Sequence, residues 1–173
     1  MAPQPEVWLR GPINGVPSLL QPAAHALLQT VEDVGNTIVE LSTEQIWTSP
    51  GGAASVGFHV LHLIGSTDRL LTYARGESLS DAQKSRLIAE RNPVRVDAGS
   101  LMEDLRRVMD AALDQLRATP PASLEEARSV GRAALPTTVL GLLFHTGEHA
   151  QRHAGQVVTT AKIVRSTAQS YNL

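Results

Sequence analysis

The sequence predicts an all-α chain folded as a four-helix bundle with long connections. Three observations predict it. Apolar residues recur at helical spacing in four stretches of about 18–28 residues. Aromatic residues make up only 3% of the chain. The core must therefore come from Leu, Val, Ile and Ala, a composition that suits packed helices better than an aromatic-rich sandwich. Finally, there is no internal repeat, heptad array or low-complexity tract, and 173 residues suit one domain.

Residues 1–17 are rich in Pro and Gly and read as an irregular arm, followed by a single domain over 18–173. Trp8 and Leu9 in the arm need something to pack on, either as a lid on the bundle end or as a dimer contact. Ser18-Leu19-Leu20-Gln21 has the pattern of a capping box, with Pro22 tolerated in the first turn. The first helix is expected over Leu19–Leu41, with His25 at its core edge or exposed. Ser42 to Gly52 is a connection broken by Thr48-Ser49-Pro50-Gly51-Gly52 and anchored by burial of Trp47.

Ser55 offers an N-cap for a second helix over Val56–Ala74, ended by Gly76. His59 and His62 lie within its apolar set. A polar link follows over 77–96, in which Ser80 could cap a short helix through Arg91, before Pro93. Asp97 or Ser100 starts a third helix that runs to Ala118, with a charged outer face at Glu103, Asp104, Arg106 and Arg107. Thr119-Pro120-Pro121 breaks the chain. Residues 122–135 read as a long crossing loop with a helical turn at Leu124–Arg128. Pro136 suits the first turn of a fourth helix reaching Val164, with a polar tail at Thr167–Ser170.

Composition excludes several classes. Hydrophobic content of 42% with 18% charged residues fits neither a disordered chain nor a membrane protein, and no apolar run approaches the ~18 residues of a spanning helix. A net charge of -2 argues against nucleic acid as a partner. Zero cysteines exclude disulfides, thiolate ligands and an internal thiol nucleophile. Together with an N-terminus that lacks a signal-peptide pattern, they fit a cytoplasmic protein.

The chemistry lies in the histidines. His145, His149 and His153 recur every four residues and so share one helix face, with Cβ atoms of neighbouring rungs ~5–6 Å apart. A lone histidine on an apolar face is usually a satisfied core-edge residue. Several imidazoles sunk in apolar helices cost desolvation unless each ring has a partner. One divalent metal would satisfy several at once. Neutral imidazoles suit Zn, Ni, Cu or Fe(II). Glu148-His149 is not a zincin motif, because the glutamate precedes the first histidine. Glu148 reads as exposed, and Asp68, about two turns beyond His62, as a salt-bridge residue.

Gly57-Phe58-His59-Val60-Leu61-His62-Leu63 and His149-Ala150-Gln151-Arg152-His153-Ala154-Gly155-Gln156 resemble the motifs of the DinB-like (DinB/YfiT-like) metal-binding four-helix bundles. The resemblance covers nearly the whole chain after residue 17. It implies the ligands His62, His149 and His153. The chain departs at Arg152-His153-Ala154, where relatives often carry His-His-Arg, which keeps the ligand position and changes its neighbours. His59 and His145 stay open as orienting, substrate-facing or packing residues, and Gln156, on the same stripe, as a hydrogen-bond partner of a ligand ring or of a neighbouring helix. The family further implies a divalent metal (Zn, Ni or Fe), a small-molecule substrate, homodimers, and thiol-dependent transferase, isomerase or hydrolase chemistry. With no cysteine in the chain, such a low-molecular-weight thiol (mycothiol or bacillithiol, for example) must come from outside. The alternative is a non-catalytic metal- or small-molecule-binding module of the stress response.

Overall fold

A computed structural model describes residues 4–170; residues 1–3 of the expected arm and residues 171–173 lie outside it. Four helices form the bundle: α1 (Gln21–Ile38), α3 (Val56–Ala74), α5 (Ala98–Ala118) and α6 (Val139–Ser170). Short helices α2 (Thr43–Trp47) and α4 (Asp81–Ala89) sit in the connections, and a hairpin of β1 (Ala127–Val130) and β2 (Leu135–Thr138) precedes α6. Both α1 and α3 pack along α6, and α5 closes the other side against them. The core between them is aliphatic, with Leu27, Val34, Leu63, Leu105, Met109 and Leu143 all essentially without exposure. No helix among the described residues is long and apolar enough to cross a membrane.

The second bundle helix follows the expected bounds. The Ser55 side chain accepts from the Phe58 amide and starts α3. At the other end, Gly76 takes φ 77°. The Gly76 amide donates to Tyr73 O and the Glu77 amide to Thr72 O, a Schellman closure that needs the left-handed glycine. Helix α5 begins after Asp97, which caps it by accepting from the Ser100 amide.

Several expectations are corrected. The Ser18–Gln21 capping box does not form. Ser18–Leu20 is a 3-10 turn, and the Gln21 side chain instead binds the backbone of Ile13 and Val16, tying the arm to α1. The first helix therefore runs from Gln21 to Ile38 rather than Leu19 to Leu41. The connection after it contains α2, held by a full capping box of Ser42 and Gln45. Residues 122–135 hold no helical turn at Leu124–Arg128 but strand β1, in antiparallel register Ala127↔Thr138 through Val130↔Leu135. Pro136 lies in β2 opposite Ser129, where a two-stranded ribbon tolerates its missing N–H. Helix α6 starts three residues later, with Thr138 accepting from the Gly141 amide, and it absorbs the expected tail. The short helix α4 stops at Ala89, with Glu90 as its C-cap.

The first half of the arm lies along α1, and the second half reaches the end of α5, where Arg117 donates to Asn14 O and Val16 joins the core. Val7 is buried, its amide donates to Gln29, and Arg10 forks onto Glu32. Trp8 is 61% exposed, so it is not the lid residue. Trp47 is buried as expected, and its indole N–H donates to Val96 O at 2.9 Å. Helix α6 approaches α1 closely at Gly147, where a Cβ would meet Ala23 Cα at 3.0 Å. The Gln151 amide then donates to Ala26 O and Thr30 Oγ1. These contacts fix the rotation of α6, and with it the direction of its histidine stripe.

Candidate metal centre

Helix α3 contributes His59 and His62, and α6 contributes His149 and His153. Facing stripes of two packed helices bring these four rings together. One ligand nitrogen from each of His62, His149 and His153 lies within 4.8 Å of the other two, a group that could hold a metal ion. Ring centroids are 4.5 Å apart for His149–His153 and 4.8 Å for His62–His153. The Nε2 atoms of His62 and His149 are 3.2 Å apart. Two nitrogens each ~2.1 Å from one tetrahedral ion would be separated by roughly 3.4 Å.

Hydrogen bonding decides which nitrogens are free. His62 Nδ1 donates to Glu90 Oε2 at 2.8 Å, so its Nε2 carries the lone pair. His59 and His153 meet through their Nδ1 atoms at 3.1 Å, one donating to the other, which leaves Nε2 of His153 without a protein partner. His149 Nδ1 is buried with no hydrogen-bond partner. If His149 protonates Nε2, that N–H can meet His62 Nε2, but Nδ1 is left as a bare buried acceptor. If it protonates Nδ1, two lone pairs face each other at 3.2 Å. A cation between the Nε2 atoms removes that conflict, so the residues present fit a divalent metal.

Electrostatics point the same way. Burial first, then the neighbouring His62, His145 and Arg152 charges, push His149 down to about 4. Burial and the other histidines push His153 down to about 4 as well. Burial also lowers His59. Near neutral pH these rings are uncharged, which is the form that ligates.

The remaining expected residues sit at the edge or away. His145 is exposed and pairs with Glu148 Oε2 at 3.0 Å, its ring 5.4 Å from that of His149. Glu148 also takes Arg152 through its other oxygen, so both carboxylate oxygens are engaged. Gln156 is exposed and bonds no ligand ring. Asp68 forms no salt bridge; it accepts from the Gln83 amide. His25 donates to Gly11 O and lines a separate cavity of about 720 Å³ between the arm and α1. One important residue escaped the sequence reading. Glu90 had no motif to betray it, because only the docking of α4 onto α3 brings it to His62.

Among solved structures, the chain is similar to a DinB-like protein from Bacillus cereus ATCC 10987, with a TM-score of 0.60 and 16% identity over 79% of this chain and 89% of that one. That likeness concerns the fold. No curated protein matches the sequence. The family model described as the DinB superfamily matches residues 3–157, nine-tenths of the chain and both histidine motifs, and the protein belongs to that superfamily.

Proposed function

We propose that the protein binds one divalent ion, Zn, Ni or Fe(II), through His62, His149 and His153 and uses it as a metal-dependent enzyme of transferase, isomerase or hydrolase type. The observation that carries this reading is the convergence of three imidazoles from two helices, each offering a ligand nitrogen within 4.8 Å of the other two. Three protein ligands leave room for a fourth from solvent or substrate. The His62 side chain keeps 26% exposure, so the cluster meets solvent on that side. When bound, such an ion supplies Lewis acidity and activates a water or thiol at neutral pH. The chain supplies the rest. Glu90 holds His62, His59 holds His153, and Phe58 stacks on His62 with ring planes 7° apart, shielding one face from water. With no cysteine in the chain, a thiol nucleophile would be a small external molecule.

The test is metal content of untagged protein by mass spectrometry. One divalent ion per chain is expected, lost in His62→Ala, His149→Ala and His153→Ala. Wild-type protein that stays metal-free after loading with Zn, Ni and Fe(II) would overturn the reading.

One observation favours a second reading. His59 lies close enough to His153 to swing in as a fourth ligand, which would close the site and make it a binding module without turnover. In that case His59→Ala would weaken metal binding as much as loss of a ligand does. In the enzyme reading it weakens binding far less.

A further inference from the structure

Gly65 stands one turn after His62 on α3. A Cβ there would collide with Glu90 Oε1 and would meet Arg69 Nη1 at 2.8 Å. Nothing about the helix requires a glycine at this position, where it weakens α3 relative to alanine. Its effect is to let a carboxylate lie flat on the helix surface. Glu90 uses that space with both oxygens. Oε1 accepts from Arg69 Nη1 at 2.6 Å, and Oε2 accepts from His62 Nδ1 at 2.8 Å. Both the Arg69 and Glu90 side chains are only 10% exposed, so the pair is shielded from salt and water.

Helix α4, which delivers Glu90 as its C-cap, buries no residue of its own. Polar bonds hold it. The Gln83 amide donates to Asp68 and Thr72 at one end, and Glu90 binds Arg69 and His62 at the other. The short helix thus acts as a bracket, with one foot in the histidine cluster.

We propose that Glu90, seated on Gly65 and backed by Arg69, is a positioning residue that fixes the ring orientation and the Nδ1–H tautomer of His62. Two hydrogen bonds define the carboxylate plane, and that plane defines where the imidazole points its Nε2. A carboxylate behind a ligating histidine also makes the ring a stronger donor. The proposal rests on the metal reading for its consequence, since a fixed His62 is a better ligand. The tautomer itself belongs to the metal-free protein.

Two readouts test it. In metal-free protein, nitrogen NMR of the histidine rings should show His62 as Nδ1–H in the wild type and as a tautomer mixture in Glu90→Ala. In chelator competition with Zn²⁺ and Co²⁺, Glu90→Ala should bind roughly 10–100-fold more weakly at unchanged stoichiometry. Glu90→Gln, which can still accept from His62, should recover part of the loss. Removing Glu90 strands the buried Arg69, so the double variant Glu90→Ala/Arg69→Met removes both charges together and should show the same two effects. An unmixed Nδ1–H signal and wild-type affinity in the double variant would overturn the clamp while leaving the three-histidine site standing. Wild-type protein that binds neither ion would overturn the metal reading, and the tautomer signal would still decide the clamp.

Discussion

His149 and His153 hold their protons unusually weakly, and this has a pH signature. Each has a folded-state value of about 4, against an ordinary ~6.5 in the unfolded chain. Between these values the unfolded chain binds more protons than the folded one, so stability is full above about pH 6.5 and is lost as pH falls towards about 4. Below that, both states are charged and this contribution stops changing. We expect the urea midpoint of metal-free protein to drop over this window, and to drop less in His149→Gln/His153→Gln. Equal slopes for the two proteins would show that the rings do not resist protonation. The same residues show what a sequence can reveal of a site. The spacing of four on one helix was enough to place His149 and His153 together, and the family motif added His62. Glu90 was invisible, because its partnership depends on how a nine-residue helix docks, and no local pattern encodes that.

Helix α3 also packs tightly against a buried ring near its start. A Cβ at Gly57 would sit 2.8 Å from three atoms of the Trp47 ring, and that ring is buried and tied to Val96 O. Alanine would gain up to ~1 kcal/mol in helix propensity and lose about 1–3 kcal/mol to overpacking. We expect Gly57→Ala to destabilise by about 1 kcal/mol, with the indole fluorescence shifted as the ring moves. A stabilised variant would contradict the packing described. Helix α3 was legible from end to end because Ser55, its periodic apolar set and Gly76 all agreed. Helix α2 was missed although Ser42-x-x-Gln45 spells its capping box, because five residues are too few to show a period. The hairpin was missed for the same reason, with four residues per strand, no buried position in either, and alternation of exposed and half-buried positions in β1 alone. Pro136 misled because an absent N–H is equally acceptable in a first helical turn and on a ribbon edge.

Over the whole molecule, the histidine cluster joins α3 to α6, two of the helices that define the bundle. A ligand that binds only the folded state stabilises it by mass action, about 2.7 kcal/mol at a free concentration 100 times Kd. We expect saturating Zn²⁺ to raise the thermal midpoint of the wild type, and to leave His62→Ala and His153→Ala unmoved. A rise of the same size in those variants would place the ion elsewhere. Hydrogen exchange should show the gain spread over α3 and α6, since neither helix can leave while both hold the ion.

His62 and His149 are separated by 87 positions in the chain. During synthesis at the usual ~5–20 residues per second, helix α6 therefore follows His62 out of the ribosome by about 4–17 s. In that interval the nascent chain presents only His59 and His62 of the four clustered rings. A cation held by all three rings would have to wait for the last helix of the bundle to dock, so a loaded centre would certify an assembled bundle.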